Sequence, residues 1–254
     1  MMIDDVRKFK NKIAENAVIG PFSKTEDPAF IEIMGYAGMD FVILDLEHGP
    51  NNIQILQNLV RAAQIGGILP IVRVKEGIIN DIGEALDIGA GGVSVPQITN
   101  PDEAARVIRA ARFAPDGNRG VCRFVRAAKY SSTDRFQYFR ESNELVIILQ
   151  IEGEEALSNL DDILAVPGFD ILFIGPYDLS QSIGYPGQID HPEVIKRMKH
   201  IVKKSIENNI IVGTFVDTIE NAKKWKEIGV RFISYSVDVG IFYESCCDLI
   251  KQVK

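Results

Sequence analysis

Eight short runs of branched and aromatic apolar residues, each followed by a helix-like stretch, constrain this chain most. They occupy residues 17–20, 41–45, 70–74, 92–96, 146–151, 171–175, 210–215 and 231–236. Most are nearly continuous in Val, Ile, Leu and Phe, the pattern of strands buried on both faces of a parallel sheet. The intervening stretches carry helix signals. Asn100-Pro101-Asp102-Glu103 supplies an N-cap, a proline at the first helical position and acidic residues in the first turn, and His191-Pro192-Glu193 opens another helix similarly. Gly38, Gly89, Gly168 and Gly229 each end a helix just before a strand.

Eight β/α units in 254 residues, with no linker or low-complexity tract, predict an α/β fold. It is a TIM (β/α)8 barrel forming a single domain over 1–254. No G-x-G-x-x-G follows the first run, which counts against an open dinucleotide-binding sheet. The connection from 97 to 144 is long. It holds a helix over 101–112 and then a loop or lid segment around 113–131.

Composition removes several classes of function. The net charge is -7 and no basic stripe is visible, so nucleic acid is not an expected partner. Three cysteines, Cys122, Cys246 and Cys247, read as a reduced, cytoplasmic protein, with Cys122 a packing residue. Three histidines exclude a His-rich metal site. No apolar run approaches the roughly 18 residues of a membrane span. Residues 1–12 are charged and lack the apolar stretch of a signal peptide.

In a barrel the chemistry sits at the C-terminal strand ends. Glu152 and Asp178 close the fifth and sixth runs. They are either solvated loop acids or a convergent pair suited to Mg²⁺ or Mn²⁺, which take oxygen ligands. Gln150, a polar residue inside an apolar run, favours a buried polar site. Asp45 and His48 offer a carboxylate and an imidazole, either a general base or a hydrogen-bonded structural histidine. His191 and His200 read as a helix start and a solvated helix face. Arg73, inside the third run, either grips a substrate carboxylate or forms an internal salt bridge to Asp45 or Glu47. Arg119, Arg123 and Arg126 read as surface or interface residues. No lysine lies within the strand runs, the nearest being Lys75 and Lys129, so a Schiff-base mechanism has no obvious nucleophile.

These segments carry a family resemblance. Asp45-Leu46-Glu47-His48-Gly49-Pro50-Asn51-Asn52, Pro70-Ile71-Val72-Arg73-Val74, Gln150-Ile151-Glu152 and Phe173-Ile174-Gly175-Pro176-Tyr177-Asp178-Leu179-Ser180 resemble the HpcH/HpaI aldolases. Weaker similarity runs through Leu86-Asp87-Ile88-Gly89-Ala90 and Gly117-Asn118-Arg119-Gly120-Val121. The family comprises metal-dependent (class II) pyruvate aldolases acting on 4-hydroxy-2-oxo or 2-keto-3-deoxy acids. The resemblance implies a lyase that releases pyruvate and an aldehyde. Its metal, Mg²⁺ or Mn²⁺ with Co²⁺ or Zn²⁺ as alternatives, would be bound by Glu152 and Asp178. It implies that Arg73 and Gln150 contact the pyruvate part. Backbone N–H groups near Tyr177 and Asp178 would hold its carboxylate. His48 with Asp45 would move the proton of the aldol hydroxyl, and Asp87 would orient that dyad in a neighbouring subunit. The implied assembly is a hexamer, a trimer of dimers, with the C-terminal helix packed on a neighbour.

The chain departs from the family at Arg119-Gly120-Val121-Cys122-Arg123-Phe124-Val125-Arg126, which is bulkier, and at Tyr177 and Phe215, which are larger than usual. The loop lies near the aldehyde side and so bears on acceptor preference, and the bulk of Tyr177 and Phe215 would narrow the pocket. The alternative is a related metal–enolate lyase of the citramalyl- or malyl-CoA type, or a decarboxylase/aldolase. A non-catalytic barrel would have no reason to keep Asp45, His48, Arg73, Glu152 and Asp178 together.

Overall fold

A computed structural model describes residues 2–77 and 79–254. Met1, in the charged N-terminal stretch, and Ile78 lie outside the described residues. Among the described residues, eight parallel strands close into a barrel in chain order, the last pairing back with the first. The first half runs α1 (Met2–Glu15), β1 (Val18–Ser23), α2 (Pro28–Tyr36), β2 (Phe41–Asp45), α3 (Ile53–Gly66), β3 (Leu69–Arg73), α4 (Ile79–Asp87), β4 (Gly92–Val95) and α5 (Pro101–Ala111). A 3-10 turn (Arg126–Ser131) precedes α6 (Arg135–Ser142), β5 (Val146–Ile151), α7 (Glu154–Ser158), α8 (Leu160–Leu164), β6 (Ile171–Ile174) and α9 (Pro176–Ser182). The chain ends with α10 (Pro192–Glu207), β7 (Ile211–Val216), α11 (Ile219–Ile228), β8 (Phe232–Val237) and α12 (Asp238–Val253). No helix among the described residues is long and apolar enough to cross a membrane.

The predicted strands and caps are present. Asn100 caps α5, its side chain accepting from the Glu103 N–H at 2.9 Å. His191 caps α10 through Nδ1 and stacks on Tyr185 with ring centroids 3.6 Å apart. Gly89 (φ 95°) and Gly229 (φ 111°) take the left-handed conformation that ends a helix. The largest boundary difference is at β1, which continues three residues past the expected end. Pro21 and Ser23 interrupt the apolar run, yet Ser23 is buried because its hydroxyl donates to Asp238 at 2.7 Å.

Helix α1 had no expected counterpart. Its charged residues mask Ile3, Val6, Phe9 and Ile13, which recur at helical spacing and are buried. Phe9 packs edge-on against Phe41 and Phe232, which stack with centroids 3.9 Å apart. The N-terminal mouth of the barrel is therefore plugged by aromatic rings.

Two expectations for the 113–131 segment are corrected. Arg119 is buried rather than on the surface. Its guanidinium lies 4.7 Å from the Phe113 ring and donates to Asp87 at 2.5 Å. Cys122 is exposed rather than packed. Phe113, Ala128 and Tyr138 form a small apolar cluster separate from the main core.

The turn after β1 is clamped by one buried carboxylate. Asp238, the first residue of α12, accepts from the Ser23 and Thr25 hydroxyls and from the N–H groups of Lys24 and Thr25, at 2.7–3.0 Å. Burial pushes the Asp238 carboxyl up, and these hydrogen bonds outweigh it and hold the group below its ordinary value. Its stabilisation is thus present above the ordinary aspartate range and lost as pH falls through the depressed value. Asp238→Asn is expected to cost about 2–4 kcal/mol at pH 7 in urea unfolding. The gap from wild type should narrow below about pH 4.

Candidate active site

A cavity of about 190 Å³ opens at the C-terminal ends of the strands, where barrel enzymes place their chemistry. A larger one, about 320 Å³, lies at the other end of the barrel near α1 and α6; it is lined by Arg126 and Lys129 of the long loop and by none of the strand-end residues proposed from sequence.

The register of β2 and β3 places Asp45 directly beside Arg73. Arg73 Nε and Nη2 donate to the two Asp45 carboxylate oxygens at 2.8 and 2.7 Å, and Nη1 lies 3.2 Å from Glu47 Oε2. Asp45 is fully buried and Arg73 almost so. Burial opposes both charges. The paired hydrogen bonds outweigh it, holding the Asp45 carboxyl below its ordinary value and the Arg73 guanidinium above. The internal salt bridge considered for Arg73 is therefore present, to both carboxylates.

This pairing alters the expected Asp45–His48 arrangement. Asp45 Oδ1 also accepts the backbone N–H of Glu47 at 3.0 Å and that of His48 at 3.4 Å. The His48 ring instead lies by Glu47, with Nε2 3.9 Å from Oε2, largely open to the cavity mouth. The carboxylate nearest the imidazole is thus Glu47.

Across the cavity, Gln150 lies near the end of β5 and Glu152 directly follows the strand. Gln150 Nε2 donates to Glu152 Oε2 at 2.7 Å, and the Gln97 N–H donates to Oε1 at 3.0 Å. Gln97 holds that N–H in place with a left-handed backbone, φ 54°. Burial pushes the Glu152 carboxyl up to about 7, and the neighbouring Asp178 and Glu47 charges add to the rise. The buried Gln150 Oε1 has no hydrogen-bond partner. An oxygen-only set with a carboxyl that resists ionisation alone, beside a second carboxylate and a free amide oxygen, suits a hard divalent cation.

Tyr177 and Asp178 stand in the first turn of α9, where no side chain caps the N–H groups. The Tyr177 hydroxyl donates to Asp217 at 2.6 Å. Burial and this bond push the phenol up to about 12. Its ring meets Phe215 edge-on at 5.9 Å, and Phe215 meets Phe22 at 6.1 Å. Tyr177 and Phe215 thus wall the cavity. Asp87 does not reach it. It ends α4 at the opposite end of the barrel, bonded to Arg119.

Several site residues escaped the sequence reading. Glu47 enters from sequence only as a partner for Arg73. Lys24, not Lys75 or Lys129, is the lysine in the cavity. It was hidden because the first strand appeared to end at Gly20. Gln97, Phe22 and Asp217 carry no motif. The three loop arginines line no part of the cavity. Arg119 binds Asp87, Arg123 donates to the Ser131 carbonyl, and Arg126 donates to the Ile88 carbonyl and to Gln64.

Gly175 is required by close approach. A Cβ there would lie 2.4 Å from Glu152 Oε2 and 3.3 Å from Gln150 Nε2. It would also lie 3.1 Å from the Glu152 Cβ; the Gly175 φ of -86° suits any residue, so it is the Glu152 side chain that must shift. Gly175→Ala should keep the fold, with a melting temperature within a few degrees of wild type. It should weaken Mn²⁺ binding at least about tenfold by calorimetry.

The HpcH/HpaI aldolase/citrate lyase family model matches residues 19–245. The chain is 33% identical over 246 residues to the 5-keto-4-deoxy-D-glucarate aldolase of Citrobacter koseri, covering 95% of each chain. It is 30% identical to the solved HpcH/HpaI aldolase/citrate lyase family protein of Burkholderia cenocepacia J2315, with a TM-score of 0.91 over 97% of this chain and 98% of that one. It is also 30% identical to the citrate synthase SbnG, with a TM-score of 0.87 and 96% of each chain covered. With the barrel, the paired strand-end carboxylates and the buried arginine already in place, these likenesses make the chain an aldolase-type lyase that belongs to the HpcH/HpaI aldolase/citrate lyase family.

Proposed function

We propose that this chain reversibly cleaves a 4-hydroxy-2-oxo acid to pyruvate and an aldehyde, with a divalent metal held by Glu152 and Asp178. The observation that carries this reading is the buried Glu152 carboxylate, hydrogen-bonded to Gln150 of the cavity wall and pushed up by burial and by the charge of Asp178, which lines the same cavity as Arg73. The relatives named as 5-keto-4-deoxy-D-glucarate aldolases support an oxo acid as the substrate class. Mg²⁺ or Mn²⁺ suits the oxygen donors, and when bound it supplies Lewis-acid polarisation of the substrate's oxo group.

The chain's own residues do the rest. Arg73, immobilised by Asp45 and Glu47, keeps two of its five N–H donors for substrate. It places a fixed positive charge where enolate charge develops. Gln150 orients Glu152 and contacts the pyruvate part. The open N–H groups of Tyr177 and Asp178 suit the substrate carboxylate. His48 takes the 4-hydroxyl proton as the C3–C4 bond breaks. The bonding pair passes to C3 as the enolate of pyruvate, and a proton returned to C3 completes the product. Glu47 steadies the ring in this scheme, with Asp45 acting on it through Arg73.

The acyl-CoA alternative lacks support, because the three arginines that would line a nucleotide groove are engaged internally. We place the chain in the cytoplasm as a homo-oligomer, the hexamer that the family resemblance implies, and α12 supports the self-association. Val239, Phe242, Leu249, Ile250 and Val253 are all exposed along it. Asp87 of one subunit would then serve a neighbour's site.

Metal-loaded protein should release pyruvate from 4-hydroxy-2-oxo acids in a coupled assay. Glu152→Ala or chelation should lower the rate by about a thousandfold or more. Pyruvate release that survives both would overturn the metal reading. Sedimentation should give a multiple of the 28.2 kDa chain mass. Phe242→Glu should lower that multiple.

A further inference from the structure

We propose that Lys24 selects substrates by charge at their far end, binding a carboxylate carried on the aldehyde half. The proposal rests on the aldolase reading for the orientation of the substrate, and on the cavity's own walls for its chemistry.

Lys24 lines the cavity that holds Arg73, Gln150 and Asp178. Its Nζ donates to the His48 carbonyl at 2.9 Å and stands 3.7 Å from Asp45 Oδ2. Asp45 has no need of it, because Arg73 already supplies a bidentate pair and two backbone N–H groups complete the carboxylate. An ammonium has three donors, and one is used here. The other two have no hydrogen-bond partner among the described residues, in a cavity whose wall is in large part apolar. Phe22, Phe173, Phe215 and Val237 are apolar, and the Tyr177 hydroxyl gives its proton to Asp217. Among the described residues, Arg73 is the other cation lining the cavity, and it is fixed by Asp45 and Glu47.

The backbone under Lys24 is rigid for a definite reason. The buried Asp238 holds the N–H groups of Lys24 and Thr25 and the hydroxyls on both sides of Lys24. A loop lysine on an otherwise mobile turn would lose binding free energy to ordering. Here the ordering is built into the fold. Asp238 is accordingly a positioning residue for Lys24.

The test uses two six-carbon ligands that differ only at the far end and have no 4-hydroxyl to cleave. They are 2-oxoadipate, with a terminal carboxylate, and 2-oxohexanoate, with a terminal methyl. Their affinities are measured by calorimetry on the full-length chain with excess Mn²⁺. Wild type should prefer the diacid at least about tenfold. Lys24→Met should abolish that preference while changing 2-oxohexanoate affinity less than about threefold. Lys24→Arg should keep most of it. A wild type that binds the two alike, or a Lys24→Met that weakens both equally, overturns the proposal. So does a pyruvate adduct on Lys24 trapped by borohydride, which would make the lysine a Schiff-base nucleophile. Because neither ligand is cleaved, failure here is separate from failure of the aldolase reading, which the pyruvate-release assay detects.

Discussion

The Asp45–Arg73 pair is the contact on which the site depends. It joins adjacent strands at the level where the barrel wall becomes the reaction chamber, and both charges are withdrawn from water. Such a pair contributes little net stability, since desolvation offsets most of the attraction. Breaking it is another matter, because an unpaired buried charge costs about 3–5 kcal/mol. The arrangement is therefore stiff rather than strong. That stiffness directs the guanidinium into the cavity and draws Glu47 towards it, which in turn sets the carboxylate beside His48.

The opposite wall works by the reverse principle. Glu152 is buried without a cation of its own, accepting hydrogen bonds from Gln150 and the Gln97 N–H instead. Its proton is held to about neutrality. A site that keeps one carboxyl so reluctant to ionise, close to Asp178, gains most when a divalent cation arrives. Gly175 leaves room for this carboxylate and no more. The aromatic wall of Phe22, Phe215 and Tyr177 bounds the rest of the cavity and limits what the aldehyde half can be.

Much of the barrel is legible in the chain. Strands buried on both faces must be apolar at nearly every position, so all eight stand out as runs, the first of them cut short. The first strand is harder, because Ser23 is satisfied by Asp238, more than two hundred residues later. The plugging helix α1 is hidden for a related reason, its apolar positions being scattered among charges. The site residues split the same way. Asp45, Arg73, Gln150 and Glu152 are conspicuous as polar groups in or at the ends of apolar runs. Glu47, Lys24, Gln97 and Asp217 sit in loops, where polar residues are ordinary and only neighbours in space give them meaning.

By itself, then, the sequence determined the alternation of β and α units, the closed barrel and the ring of strand-end carboxylates, because periodicity and burial are written locally. Which partner each charge takes was decided by tertiary structure. Arg73 had Asp45 and Glu47 equally available on paper, and His48 lay within three residues of both. Strand register, a difference of one residue along β2 and β3, settled that Asp45 holds the arginine and Glu47 faces the imidazole. Register belongs to pairs of strands, and no single stretch of chain contains it.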